Sequence, residues 1–422
     1  MTIIERIEHQ GCGCDSLSQD QLLSVDEALG LIDRNVRPID GAETVALHCA
    51  QGRVLVEAVR ARGMVPPFDN AAMDGYAIHT SHLVGAGPWD LQVVDRIAAG
   101  QAPSERMARD TAVQIFTGAP VPDAANAVVM QEDVQKTATG IRLTKPVCPR
   151  THIRTAGEDV MPGKITVPAG RKLTAREIAA CAAAGHNHLT VWRALRVALL
   201  ITGDEVCQVG LPRGAAGIWD VNTPLLQAAV ASPAVEICAV HHAADTQNAL
   251  RQQIATLAGM VDLIITTGGI SVGEEDHVKP ALAELGASIT FSGVALKPGK
   301  PVSFGQVKGA NWLGLPGNPL SAYVTWQLFG NTLCQALTGE TCTHPIRRHV
   351  VLSNTLHHRP GRCEMRLARL CGHDHLGREC VSFASASHSG RVANLPEMDG
   401  LLFIPAEVDK LPAGALVEFQ PF

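Results

Sequence analysis

At 422 residues the chain is too long for one ordinary core, and at ~100–200 residues per domain it calls for three or four folding units. A net charge of −6 and an aromatic content of 4% argue against nucleic acid as a partner, because neither a basic field nor base-stacking surfaces are available. No apolar run reaches the ~18–20 residues that cross a bilayer, and residues 1–10 lack the apolar core of a secretory signal.

Residues 1–20 read as a flexible leader. Its Gly11-Cys12-Gly13-Cys14 run is too short and glycine-rich to pack, so a solvated tail and a soft-metal or modification site both stay open. Ser24-Val25-Asp26-Glu27 is a capping box and predicts a helix to about Asp33. From about Arg53 to Cys148 the chain changes character. Short β-rich segments at 113–116, 127–131 and 140–143, separated by Pro and Gly, predict a small β domain inserted into a helix-containing one. Strands at 164–168 and 189–192 return to the outer domain, as does a second capping box, Thr174-Ala175-Arg176-Glu177, before a helix at 178–184.

From about Leu195 strand and helix alternate. Apolar runs at 197–201, 235–240, 261–265 and 312–315 are followed by helical stretches at 224–230, 246–257, 278–285 and 320–337. That spacing predicts βαβ units and a parallel sheet, whose ligands bind beyond the carboxyl ends of the strands. Residues 349–422 lack helical periodicity and read as a further β domain. The fold class is therefore α/β multidomain. Its parts are a 1–20 leader, an N-terminal domain of 21–52 and 149–193, the inserted β domain 53–148, the α/β domain 194–340 and the C-terminal β domain 341–422. Twelve scattered cysteines in so long a chain favour a reduced, cytoplasmic protein.

Chemistry concentrates at the ends of the predicted parallel strands. Thr266-Thr267-Gly268-Gly269-Ile270-Ser271-Val272-Gly273 leaves a buried strand and leads into a helix, which is how bare backbone N–H groups are brought to a phosphate. Asp276 and Lys279 follow one helical turn apart. Thr202-Gly203-Asp204-Glu205 and Trp219-Asp220-Val221-Asn222 add carboxylates, and Leu315-Pro316-Gly317-Asn318-Pro319-Leu320-Ser321 opens another helix. Four such loops converging on one crevice suit a phosphorylated ligand held with Mg²⁺. Lys297-Pro298-Gly299-Lys300-Pro301 holds two amines close together, a basic turn or a pair awaiting an anion. Two polar turns, 66–77 with Asp74 and 154–159 with Arg154 and Asp159, read by composition as loops. Cys371, His373, His375 and Cys380 are residue types suited to Zn²⁺, but at a spacing that matches no common finger, around a hairpin tip at 373–377. Cys181, Cys238 and Cys363 read as core residues.

Together these segments resemble the molybdopterin molybdenumtransferase family, the bacterial MoeA proteins and the gephyrin E domain. The resemblance rests on D-N-x-A-M-D-G-Y-A at 69–77, T-G-A-P-V-P at 117–122, G-E-D at 157–159 and T-G-D-E at 202–205. It continues through T-G-G-x-S-x-G-x-x-D at 267–276, K-P-G-K-P at 297–301 and L-P-G-N-P at 315–319, in order over about residues 20–420. It implies an elongated N-terminal domain, a molybdopterin-binding α/β domain and a C-terminal β-barrel. It also implies a cytoplasmic enzyme that inserts molybdate into adenylylated molybdopterin, uses Mg²⁺ and releases AMP. A homodimer with a composite site is implied, in which the 66–77 turn completes the cleft of the other subunit, and a molybdopterin adenylyltransferase is a possible docking partner.

Carried over by position, Asp74, Asp159 and Glu205 are the implied catalytic acids, and Glu205, Asp220 and Asp276 the implied Mg²⁺ ligands. Thr117, Arg154, Gly268, Gly269, Ser271, Gly273, Lys297 and Lys300 fall on implied binding positions. So do Pro316, Gly317, Asn318, Pro319, Ser321, Arg366 and Ser389. The stretch before G-E-D, often arginine-rich in the family, offers Arg154 alone. Two other readings compete. A molybdopterin adenylyltransferase shares the α/β unit but is a single α/β domain, and a gephyrin-like scaffold binds a peptide without turnover.

Overall fold

The computed structural model describes residues 22–102, 107–270, 276–341, 347–383 and 392–422. Among them both capping boxes form. Ser24 Oγ accepts from the Glu27 N–H at 3.2 Å while the Glu27 carboxylate accepts from the Ser24 N–H at 2.8 Å, and the helix runs Val25–Asn35. Thr174 and Glu177 repeat the arrangement at the helix Ala175–Ala183. Apolar spacing then decides where the first helix docks. Val25, Ala28, Leu29 and Ile32 share one core with Leu199, Leu313 and Phe329 of the α/β unit. Residues 50–61 pack instead with Val167, Leu173, Cys181 and Val191, and Val59–Arg60 pairs with Ile165–Val167. The β layer expected from Arg53 thus starts later in the chain.

Glu177 is buried beneath its own cap. The Thr174 hydroxyl holds its carboxyl at about 2, against an ordinary 4.5, with burial opposing. A depressed folded-state value means stability that is whole above the unfolded value and drains as pH falls from about 4.5 towards about 2. Thermal melts across that window should fall for the wild type and fall less for Glu177→Gln. Parallel profiles would remove Glu177 from the acid response.

The inserted sheet has six strands in the order Ala127–Met130, Gly75–Ile78, Thr111–Ile115, Trp89–Ile97, Gly140–Leu143, Val134–Lys136. Alternation buries both faces, with Ala77, Val113 and Ile115 on one side and Tyr76, Ile78 and Ile141 on the other. Part of the 66–77 turn is strand, Asn70–Ala71 and Gly75–Ile78, which composition reads as loop.

The central sheet runs Val235–Ala243, Leu195–Thr202, Leu263–Thr267, Ala310–Leu315, Ser303–Val307, Ser288–Ser292. Its first four strands are parallel, as the spacing predicts. Ser303–Val307 and Ser288–Ser292 add an antiparallel edge that periodicity missed. Both are short, polar-interrupted strands, and Gly305 lies against the Ser288 backbone, where a Cβ would meet a carbonyl oxygen at 2.4 Å. Helices Asn222–Val230 and Pro319–Thr325 cover one face, and Gln247–Ala258 and Val278–Glu284 the other. Val235–Ala243 is an edge strand, so Cys238 is exposed there rather than in the core. Cys181 is buried, and burial pushes the Cys363 thiol up to about 12.

The C-terminal strands close a barrel. Cys363–His373 pairs with Glu379–Phe383, then follow Arg348–Leu352, Leu416–Pro421 and Gly400–Ile404, which returns to Cys363–His373. Closure leaves no open edge, and Val350, Leu402, Val417 and Phe419 fill the interior. A turn over 374–378 joins the first two strands. Cys371 there contacts the Ser353 hydroxyl at 3.1 Å, and among the described residues no three His, Cys, Asp or Glu side chains gather as a metal cage. Among the described residues no helix is long and apolar enough to cross a membrane.

Candidate active site

After Leu195–Thr202 the chain pairs first to one side, as Val235–Ala243, and then to the other, as Leu263–Thr267. The loops leaving 195–202 and 263–267 must therefore diverge, and the gap between them opens a crevice at the carboxyl ends of the strands. A cleft of about 350 Å³ lies there. Its walls are Thr202, Gly203 and Glu205 after one strand, Thr267, Gly268 and Gly269 after the next, and Gly317, Asn318 and Pro319 after Ala310–Leu315. Trp219, Asp220 and Asn222 close it at the start of helix Asn222–Val230.

Glycine is required at Gly268, where two of these loops touch. Gly268 has φ +85, and a Cβ there would stand 2.9 Å from the Thr202 carbonyl oxygen. A Cβ on Gly317 would lie 3.5 Å from the Gly268 Cα, so two bare backbones face one another across the floor. Thr266, just below, accepts a 3.0 Å hydrogen bond from the buried Trp312 indole, which fixes the strand end.

Glu205 is exposed at the rim. Asp220 is buried, and its oxygens accept from the Thr223 N–H at 2.9 Å and the Thr223 hydroxyl at 2.5 Å, with His242 Nε2 3.3 Å away. Asp245, which the sequence reading passed over, also lines the cleft and accepts from the Thr202 hydroxyl at 2.9 Å. It was missed because the strand was expected to stop at residue 240, whereas it continues to Ala243 and delivers Asp245 to the same edge. Asp276 is not among the lining residues. It sits half-buried before helix Val278–Glu284 and is near enough to Lys279 to oppose the burial that lowers that ammonium's pKa. The expected trio of Glu205, Asp220 and Asp276 is therefore not assembled in this cleft, where Asp245 accompanies the first two. Ser271, Gly273 and Ser389 lie outside the described residues.

Lys297 and Lys300 do not line the cleft either. Leu296–Lys297 pairs with Cys363 and Glu364 of the barrel, and a Cβ on Gly299 would meet Thr325 at 2.4 Å, so this turn wedges between the barrel and helix Pro319–Thr325. The protein itself supplies Lys297 with an anion, since Nζ is 3.5 Å from the buried Glu364 carboxylate. Arg366 is expected to face a cleft but is buried. Its Nε donates to Glu364 at 2.9 Å and an Nη to the His357 carbonyl at 2.6 Å. Pro316 and Ser321 are buried behind the exposed Gly317 and Asn318.

A second group forms in the N-terminal half. Asp74 accepts from both the backbone and the hydroxyl of Thr117, each at 2.8 Å, and those hydrogen bonds hold its carboxyl below the ordinary value. Arg154 pairs with Asn70 across a two-residue ladder, and the exposed Asp159 is tethered through its N–H to Val65. Arg150, another residue the sequence reading passed over, donates to Asp69 at 2.5 Å. None of these residues lines the strand-end cleft of the same chain.

Three family models match in succession. The MoeA N-terminal region (domain I and II) covers residues 23–185, a probable molybdopterin binding domain 198–335, and the MoeA C-terminal region (domain IV) 349–422. The molybdopterin molybdenumtransferase of Haemophilus influenzae is 33% identical over 76% of this chain and 78% of its own. Molybdopterin molybdenumtransferase 2 of Mycobacterium tuberculosis is 34% identical over 91% and 95%. The crystal structure of a molybdopterin biosynthesis MoeA protein from Pyrococcus horikoshii superposes with a TM-score of 0.82 at 26% identity, covering 95% of this chain and 100% of that one.

Proposed function

Since this chain belongs to the molybdopterin molybdenumtransferase family, and is thus a transferase of molybdenum cofactor biosynthesis, we propose that it joins molybdate to adenylylated molybdopterin and releases AMP in a Mg²⁺-dependent reaction. The main support is the strand-end cleft, where bare glycine backbone and carboxylates meet at the switch point of a parallel sheet.

The physical task is to bring two anions together. Unit charges ~4 Å apart at an effective dielectric near 20 repel by about 4 kcal/mol. In the cleft, the exposed Glu205 offers a hard oxygen donor of the kind Mg²⁺ prefers; no three acidic side chains among the described residues gather as a cage, so the remaining positions would fall to phosphate and water. When bound, Mg²⁺ would supply charge neutralisation on the pyrophosphate, making AMP a better leaving group. Backbone around Gly268, Gly269 and Gly317 lets a phosphate approach without side-chain obstruction. Lys297, with 45% of its side chain exposed, keeps reach toward an oxyanion while Glu364 anchors it, and Lys300 lies on the same turn. Asp74 and Asp159 lie outside the cleft of their own chain, and in this proposal a second copy presents them in a cytoplasmic homodimer. Free thiols on all nine described cysteines suit a reducing compartment.

Incubation of the purified chain with adenylylated molybdopterin is the test. AMP should appear only when molybdate is added, stop on chelation and resume with Mg²⁺. Consumption of ATP with unmodified molybdopterin would instead indicate an adenylyltransferase, which the match to all three family regions does not favour. Peptide binding without AMP release would indicate a scaffold.

A further inference from the structure

Asn222 opens helix Asn222–Val230 and is only 8% exposed, yet it lines the cleft. Its Nδ2 donates a 2.7 Å hydrogen bond to the Gly317 carbonyl. That bond sets the amide's orientation, because a flipped side chain would set two carbonyl oxygens against each other. Among the described residues no donor reaches Oδ1, which is buried. A buried unmet acceptor is costly, and in a native fold it calls for an explanation.

The neighbourhood narrows what can satisfy it. Two residues earlier, Asp220 already accepts from the Thr223 N–H and the Thr223 hydroxyl, with His242 Nε2 3.3 Å away, so protein groups crowd the acidic side of this corner. The exposed Glu205 at the rim is the better seat for a cation. Trp219, 43% exposed on the same wall, offers a flat face, with the Arg213 guanidinium 5.7 Å from its ring centroid. A ring-bearing ligand that carries a neutral N–H or O–H fits both features.

We propose that Asn222 Oδ1 is a specificity-determining acceptor that takes a hydrogen bond from a neutral donor, a ribose hydroxyl or the exocyclic base amine, of the nucleotide held in this cleft. The assignment rests on the nucleotide reading of the cleft given above.

Calorimetric titration at saturating Mg²⁺ tests it with AMP, its 2′-deoxy and 3′-deoxy forms, and purine riboside 5′-monophosphate, which lacks the amine. The wild type should lose roughly tenfold or more in affinity for the one analogue missing the contacted donor. Asn222→Ala should bind AMP as weakly as the wild type binds that analogue and should no longer discriminate. Asn222→Asp keeps an acceptor while giving up the bond to Gly317, so it should still discriminate. Equal weakening of all ligands in both variants would mean that Asn222 only braces the 317 loop, and would overturn the proposal. So would wild-type indifference to all three analogues. A wild type that binds no AMP would sink the nucleotide reading itself, and the proposal with it. Tight AMP binding unchanged in Asn222→Ala would sink the proposal alone.

Discussion

Asp74→Asn should lower molybdate-dependent AMP release by on the order of 10²-fold or more while AMP affinity stays near wild type. The substitution is isosteric, and an amide oxygen can still accept from the Thr117 N–H and hydroxyl that now hold the Asp74 carboxylate at 2.8 Å. The fold of the 117 turn is therefore kept and only the charge is lost. Those same hydrogen bonds hold Asp74 below the ordinary carboxylate range, so it is ionised at neutral pH, and the proposed reaction gives it the part of an anion or a base rather than an acid. A pH–rate profile should accordingly lose the Asp74 contribution only on the acid side. Because Asp74 does not line the cleft of its own chain, mixing Asp74→Asn with Glu205→Gln chains should restore part of the activity through mixed dimers that carry one intact composite site. Full turnover by Asp74→Asn alone would take this residue out of the mechanism. No recovery on mixing, with both variants dimeric, would remove the composite site.

Glu364→Ala should cost about 3–5 kcal/mol of stability, read as a fall in the urea midpoint. Glu364 is 1% exposed and serves the cations Arg366 and Lys297, with the His358 ring beside them. Arg366 Nε lies at 2.9 Å, Lys297 Nζ at 3.5 Å and His358 Nε2 at 3.7 Å. Removing the acid leaves the Arg366 guanidinium, 7% exposed, buried without its counter-charge. The penalty comes from that uncompensated charge rather than from the bond lost, so the double variant Glu364→Leu with Arg366→Met should recover much of the stability. If the single and double variants unfold alike, the pair is not coupled. Glu364→Ala should also release Lys297 from its internal anion and change molybdate affinity apart from stability, since the lysine stands at the joint between the barrel and the α/β unit.

Local signals were legible wherever chemistry repeats at short range. Both capping boxes, the four parallel strands and the glycine loop follow from neighbours within a few residues, because caps, apolar periodicity and positive-φ glycines are set by adjacent backbone. The helix expected over 320–337 is present but passes through a π-turn at Trp326–Gly330, where the Trp326 ring occupies the space a Cβ on residue 330 would need. Strands Ser288–Ser292 and Ser303–Val307 were not legible. Their polar positions break the apolar runs by which strands are recognised, although the pairing is local, Ser303–Val307 joining Ala310–Leu315 across Lys308-Gly309.

By itself, then, the amino-acid order determined the family, the α/β alternation and the loops bearing Gly268, Glu205, Asp220 and Asn318, since motif spacing and local periodicity are written along one dimension. Only the tertiary structure decided how the charges are spent. It turned Arg366 inward onto Glu364, gave Lys297 an internal anion, left Asp276 out of the cleft lining and brought Asp245 and Asn222 into it. The physical reason is that a charge finds its partner through space, and apart from Arg366 and Glu364, two positions apart on one strand, these partners lie dozens of residues away in the chain: Glu364 from Lys297, Gly317 from Asn222, and Thr202 from Asp245.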